Sequence, residues 1–261
     1  MADREKLIRY YKGTEGADIA VKLVDMAETV SKNRKFRLSG FLDPYGCEIA
    51  ETIAANYPGL KVSFDGGYIG AERQRAAFVH DDFMGKANFD LAAVRAGWNE
   101  EFYHITHRDV LGALIGLGID RGQIGDLLIK SGSVTILADT KMADFILQNY
   151  GQIAAAKVTC SIADLAEIEP REERCKEIKA TVASLRIDSV AAAGFGCSRS
   201  KAAADIEADK LKLNWQSVKN SSQSVKEGDI ISMRGRGRVE VAEVRGQTKK
   251  GRTGISLKRY I

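Results

Sequence analysis

The chain has no run approaching the roughly 18 consecutive apolar residues that a membrane-crossing helix needs. Its first residues, Met1-Ala2-Asp3-Arg4-Glu5-Lys6, alternate in charge, where a secretory leader would carry an apolar core of about 7–15 residues. Proline is scarce, at three of 261 residues, and 44% of the chain is hydrophobic. That composition excludes a low-complexity chain and predicts two or three buried cores. The four cysteines, Cys47, Cys160, Cys175 and Cys197, stand too far apart for a zinc knuckle or a redox pair, so they read as reduced thiols of a cytoplasmic protein.

Catalytic and cofactor signals are equally sparse. No Gly-Lys-Ser/Thr phosphate loop occurs, and Gly66-Gly67 and Gly116-Leu117-Gly118 lack the spacing and acidic residue of a dinucleotide site. His104 and His107 have no acidic or cysteine partner at a zinc spacing, and His80-Asp81-Asp82 comes without a nucleophile and an orienting pair. The expectation is a protein that is not an enzyme, with no metal, no small-molecule cofactor and no membrane partner.

What the chain does have is charge in one place. From Thr181 onward there are 16 Lys and Arg against 8 Asp and Glu, a balance of +8, whereas the preceding 180 residues hold 23 against 27, or −4. A basic segment of this kind is the electrostatic footprint of a nucleic-acid module, although a solvated face or an anionic membrane surface would also accept it.

Three domains of an α+β protein are expected, at residues 1–75, 76–168 and 180–261. In the first, apolar spacing predicts a helix over Glu15–Val30, a strand over Phe36–Leu42, a helix from Pro44 to Asn56 opened by Asp43, and a strand over Leu60–Phe64. The second reads β-α-β-β-α-β: strand Phe89–Val94, a helix capped by Thr106 and running through Leu117, strands Asp126–Ile129 and Val134–Leu137 across Ser131-Gly132, helix Lys141–Asn149, strand Ala155–Cys160. This is the order of the ferredoxin-like fold that also underlies RNA-recognition motifs, but the strands offer few aromatic rings for base stacking. Glu167–Lys179, dense in charge around Pro170, reads as a linker helix.

The last domain carries the strongest signal. Leu185 to Phe195 reads as a short helix stopped by Gly196, and Ser198 caps a second helix bearing Arg199, Ser200 and Lys201 in its first turn. Leu211–Trp215 alternates as a strand, Asn220-Ser221-Ser222 is a turn, and Lys226-Glu227-Gly228-Asp229 feeds a strand ending at Met233, followed by Arg234-Gly235-Arg236-Gly237-Arg238. Amides at a helix start take phosphate, and arginine grips it with two donors where lysine offers a point charge. Arg186, Ser198, Arg199, Ser200, Lys201, Lys210, Lys212, Asn214, Arg234, Arg236, Arg238, Lys249, Lys250 and Arg252 are therefore the candidate RNA contacts, with the helix start and the strand-borne cations facing one ligand.

Four ordered blocks, Leu185-Arg186-Ile187-Asp188, Ser198-Arg199-Ser200-Lys201-Ala202, Lys212-Leu213-Asn214 and Glu227-Gly228-Asp229-Ile230-Ile231, resemble the S-four (S4) domain. This alpha-L RNA-binding fold is shared with pseudouridine synthases, a heat-shock protein and tyrosyl-tRNA synthetases. The whole chain resembles the YlmH-like bacterial family, through His107 to Leu114, Gly125-Asp126, Leu213-Asn214-Trp215 and the basic ending Thr248-Lys249-Lys250-Gly251-Arg252. The resemblance implies binding to ribosomal RNA and tRNA on the large ribosomal subunit, in the rescue of stalled translation where tails are added to the blocked chain. One departure is Asp209, where the domain commonly has glycine; aspartate tolerates the left-handed conformation, but its charge adjoins Lys210.

Several readings stay open on sequence alone. Arg186 and Asp188 either meet RNA or form an internal ion pair, with Asp188 placing Arg186 or Arg199. Trp215 either stacks a base or packs against a helix, and Asn214 serves its own turn as well as any ligand. Lys249, Lys250 and Arg252 contact RNA or are a solvated tail. The alternatives to an RNA-binding factor of the ribosome are an RNA-modifying enzyme of the pseudouridine synthase kind, a ribosome-assembly factor, and a scaffold whose basic face meets acidic proteins.

Overall fold

Side-chain caps start five of the seven described α-helices, and the period of the apolar residues decides which face each element buries. The computed structural model describes residues 3–169, 174–248 and 251–260. The chain divides into two compact units, residues 1–171 and 172–261. Among the described residues no helix is long and apolar enough to cross a membrane.

The first unit holds two hydrophobic cores. In the earlier part, α1 (Arg4–Tyr11) is capped by the Asp3 carboxylate, and α2 (Ala17–Asn33) buries Ala20, Leu23, Val24, Ala27 and Val30 at helical spacing. β1 (Phe36–Leu42), α3 (Pro44–Ala55) and β2 (Leu60–Asp65) lie where the sequence predicts them, α3 with Asp43 as its cap. α1 is additional, as is β3 (Gln74–His80), the central strand of an antiparallel sheet ordered β1-β3-β2. Ala76, Ala77 and Phe78 of β3 are fully buried in succession, so the alternation by which a strand is read is missing.

The later part contains β4 (Leu91–Gly97), α4 (His107–Gly116), β5 (Ile124–Lys130), β6 (Ser133–Asp139), α5 (Thr140–Asn149), a small hairpin of β7 (Gln152–Ile153) and β8 (Ala156–Lys157), and β9 (Thr159–Ala163). The sheet order β5-β6-β4-β9, antiparallel throughout, is the ferredoxin-like arrangement. Thr106 and Asp109 cap α4 reciprocally. The strand expected over Ala155–Cys160 is corrected: Ala154 takes a positive φ of 49°, the chain turns back on itself, and the sheet strand starts only at Thr159. Arg73 and Asp126 join the two parts. Arg73 donates to the carbonyls of Phe41, Arg121 and Ile124, while Asp126 accepts from the Tyr68 hydroxyl and the amides of Glu72 and Arg73.

The second unit sets two helices on one sheet. Its elements are β10 (Cys175–Val182), α6 (Ile187–Phe195), α7 (Arg199–Glu207), β11 (Leu211–Leu213), β12 (Gln216–Ser217), β13 (Ile230–Met233), β14 (Gly237–Gln247) and β15 (Thr253–Tyr260), with sheet order β10-β15-β14-β13-β11-β12. The linker helix expected over Glu167–Lys179 is corrected. Leu165–Glu167 is one 3-10 turn, Pro170 lies outside the described residues, and Cys175–Val182 is an edge strand paired along its length with β15. Ile178, Ala180 and Val182 alternate toward the core, a period of two that the surrounding charge obscures. Thr248 and Arg252 close the hairpin of β14 and β15.

α6 seats closely on this sheet. A Cβ at Gly194 would lie 2.8 and 3.0 Å from the two methyls of Val239 on β14, inside van der Waals contact. Gly194→Val is therefore expected to lower stability by about 1–3 kcal/mol through overpacking, read as a lower urea midpoint at unchanged slope. An unchanged midpoint would contradict the seating of α6 described here.

Candidate nucleic-acid interface

The interface begins where α6 and α7 meet. Gly196 ends α6 in the left-handed conformation, and Ser198 starts α7 by accepting a hydrogen bond from the Lys201 amide at 3.1 Å. Helix starts favour acidic residues, yet the first turn of α7 has none and carries Arg199 and Lys201 instead. Ser200 Oγ lies 3.1 Å from Ser198 Oγ. Helix dipole and side-chain charge thus present positive potential together, the arrangement that receives a phosphate.

Four cations are gathered there by two buried carboxylates. Asp188 takes Arg186 with both oxygens, at 3.3 and 3.1 Å, and Arg199 Nε at 3.1 Å. Asp205 takes Lys201 and Lys210, each at 3.2 Å. The Asp188 and Asp205 side chains keep 5% and 6% of their exposure, whereas their partners keep between 34% and 53%. The acids face inward and the cations face solvent. Burial acts to raise both carboxyls, but hydrogen bonds from Arg186, Arg199 and Ser189 hold Asp188 below the usual carboxylate range, and those from Lys201 and Lys210 do the same for Asp205. Of the two readings left open for Asp188, the internal pair holds, and it places both arginines.

Of the remaining predicted residues, Arg234 and Arg236 adjoin this patch, whereas Lys212, Asn214, Arg238 and Arg252 do not converge on it, which corrects the expectation of one shared face. In β11, Leu211 and Leu213 point into the core and Lys212 points out; in β14, Val239 and Val241 point in and Arg238 out. Lys212 and Arg238 thus lie on the outer face of the sheet, whose inner face carries α6 and α7. Asn214 turns its amide inward, donating to Asp229 and accepting from the Ile230 amide, each at 2.9 Å. The β13–β14 turn holds Arg234, whose amide donates to the Lys210 carbonyl, and Arg236, which donates to the Phe195 carbonyl at the end of α6. Arg252 binds the hydroxyl and carbonyl of Thr181 from the other end of β14, about 30 Å from Arg238 at the rise of a strand. Lys249 and Lys250 lie outside the described residues. Asp209 does adopt the left-handed conformation, with φ 51°.

Asp205 escaped the sequence reading, although its place four residues after Lys201 on a helix is a pairing signal. Arg259, over the Phe195 ring at 5.9 Å, became legible only through the hairpin that carries it.

Because the Asp188 pKa is depressed by folding, its contribution to stability is complete above the unfolded carboxylate value of about 3.9 and is lost as pH falls through the lower folded value. The difference in urea midpoint between the wild type and Asp188→Asn should therefore be largest near neutral pH and shrink in acid. A difference independent of pH would mean that the pair does not form.

Comparison with known proteins identifies the family and the fold. Three family models match in succession: "YlmH, N-terminal" over residues 15–83, "Putative RNA-binding domain in YlmH" over residues 85–167, and the S4 domain over residues 185–231. A solved structure described as the cell division protein ylmH from Streptococcus pneumoniae shares the fold, with a TM-score of 0.51 at 22% identity, covering 59% of this chain and 95% of that one. The ribosome-associated protein quality control protein P2 of Bacillus subtilis is 30% identical over 231 residues, 88% of this chain and 90% of the relative. With domain models matched in order along the chain and nearly the full length of that relative covered, the chain belongs to the YlmH family, with an S4 domain toward its C-terminal end.

Proposed function

We propose that this protein binds ribosomal RNA and tRNA on the large ribosomal subunit, without catalysing a reaction, during rescue of stalled translation. The observation that carries the reading is the set of four exposed cations held by two buried carboxylates around the start of α7. Cations fixed in this way meet a phosphate backbone with part of their ordering entropy already lost in the free protein. Arg186 and Arg199 offer forked donors, Lys201 and Lys210 point charges, and the helix start adds amides. The RNA-binding description of one matched family, the S4 domain matched in the second unit, and a relative named for ribosome-associated quality control favour the ribosome as the source of that RNA. Three domains, at residues 1–75, 76–168 and 180–261 with the first two steering the third, accord in number with the three matched models, but the first model runs to residue 83, past β3, so the first boundary belongs later than 75.

The test is sedimentation of tagged protein from cell lysate through sucrose at low and high salt, with the recovered RNA sequenced. Migration with large subunits at low salt and release at high salt is expected; free protein at the top in both salts would overturn the ribosomal assignment. With purified RNA, Arg199→Ala combined with Lys201→Ala should weaken binding and flatten the slope of log K against log salt by about 1.8 on a duplex or about 1.4 on a single strand, for two lost phosphate contacts. Unchanged affinity in a folded double variant would remove these residues from the site.

A further inference from the structure

The turn between β11 and β12 carries a residue that its backbone disfavours. Asn214 and Trp215 form the two-residue loop that closes the pair Leu213–Gln216, and both have positive φ, 48° and 64°. Positive φ at both loop positions is the requirement of a type I′ turn, for which Asn-Gly is the favoured sequence. Asn214 suits its place, but a bulky side chain in the left-handed region is strained, and glycine at position 215 would relieve it.

Core packing does not account for the tryptophan. Among the described residues, Trp215 is absent from the side chains packed into the core of this unit, and the residue as a whole is of intermediate exposure. The Arg238 guanidinium lies over the ring, 5.7 Å from its centroid, and Lys212 Nζ donates to the Trp215 carbonyl at 3.4 Å. Strand register puts Lys212 opposite Ser232, Ser232 opposite Arg238, and Arg238 opposite Tyr260. Lys212, Arg238 and Tyr260 thus share the outer face of the sheet with Glu240, which accepts from the Tyr260 hydroxyl, and Trp215 closes the turn at its edge, apart from the cluster at α7. A flat ring beside a guanidinium plane is what an unstacked base needs, and the cations suit its adjoining phosphates.

We propose that Trp215 is a stacking platform for an unpaired RNA base, with Arg238 and Lys212 beside it, forming a second contact surface of this unit. The proposal rests on the RNA-binding reading above and goes beyond it, because it assigns the outer face of the sheet to single-stranded or looped RNA.

Trp215→Gly tests it, because the change restores the favoured turn while removing the ring. Binding of the full-length protein to a labelled RNA stem–loop, and to the same stem as an uninterrupted duplex, would be measured together with urea unfolding. The expected result is a urea midpoint at least as high as that of the wild type, affinity for the stem–loop lower by about 5- to 140-fold, and duplex affinity unchanged. Trp215→Phe should retain most of the stem–loop affinity. A lowered midpoint in Trp215→Gly would assign the ring to packing and overturn the proposal. Unchanged stem–loop affinity would overturn it too. In that case a loss on Arg199→Ala with Lys201→Ala leaves the RNA-binding reading standing, and no loss in either variant removes both.

Discussion

A carboxylate withdrawn from water must be compensated by charge or hydrogen bonds, and the interface of the second unit depends on that constraint twice. Asp188 and Asp205 are buried, and each is satisfied by two cations reaching from short helices and their flanks. Four like charges on so small a surface would repel, and without the acids their long side chains would disperse. With the acids the group keeps a net +2, and its outward positions are set by fold rather than by chance rotamers. The arrangement serves stability only modestly, since the cations are half in water, and serves recognition more.

The rest of the second unit positions this group. The absence of a side chain at Gly194 lets α6 approach β14, and Phe195 is locked at the helix end between the core, the Arg236 contact and the guanidinium of Arg259. Gly196 and Ser198 then turn the chain into α7 over a short connection, which brings Arg199 back to Asp188 near the start of the preceding helix. The long strands β14 and β15 supply the rigid floor, and their outer face carries a separate set of basic and aromatic residues. Helix face and sheet face are both usable by an RNA that wraps the unit, whereas a small ligand would meet one of them at a time.

How much of this was legible in the sequence follows from how local each signal is. Asp43, Thr106 and Ser198 announce helix starts because a cap acts within one turn, and those helices begin where predicted. The ferredoxin-like order was readable from alternating periods, and the four S4 blocks from residue types at fixed spacing. β10, β14 and β15 were not recognised. Their inward Ile178, Val239 and Val241 adjoin charged residues, so each strand in isolation looks like a charged helix or a solvated tail; β10 becomes a strand only by pairing with β15 more than 70 residues away, and β14 and β15 by closing a hairpin on each other. The separation of Lys212 and Arg238 from the α7 cluster escaped notice for the same reason. Proximity in sequence suggested one face, and the pleat of the sheet put them on the other.

The central claim is that RNA meets this protein through the second unit, at the cations gathered around α7. Ultraviolet cross-linking in cells, followed by mass spectrometry of the peptide–RNA adducts and sequencing of the attached RNA, tests it most directly. The account predicts adducts concentrated between residues 185 and 238, carrying ribosomal RNA and tRNA sequence. Adducts confined to residues 3–169, or none in the second unit from protein that still sediments with ribosomes, would contradict it.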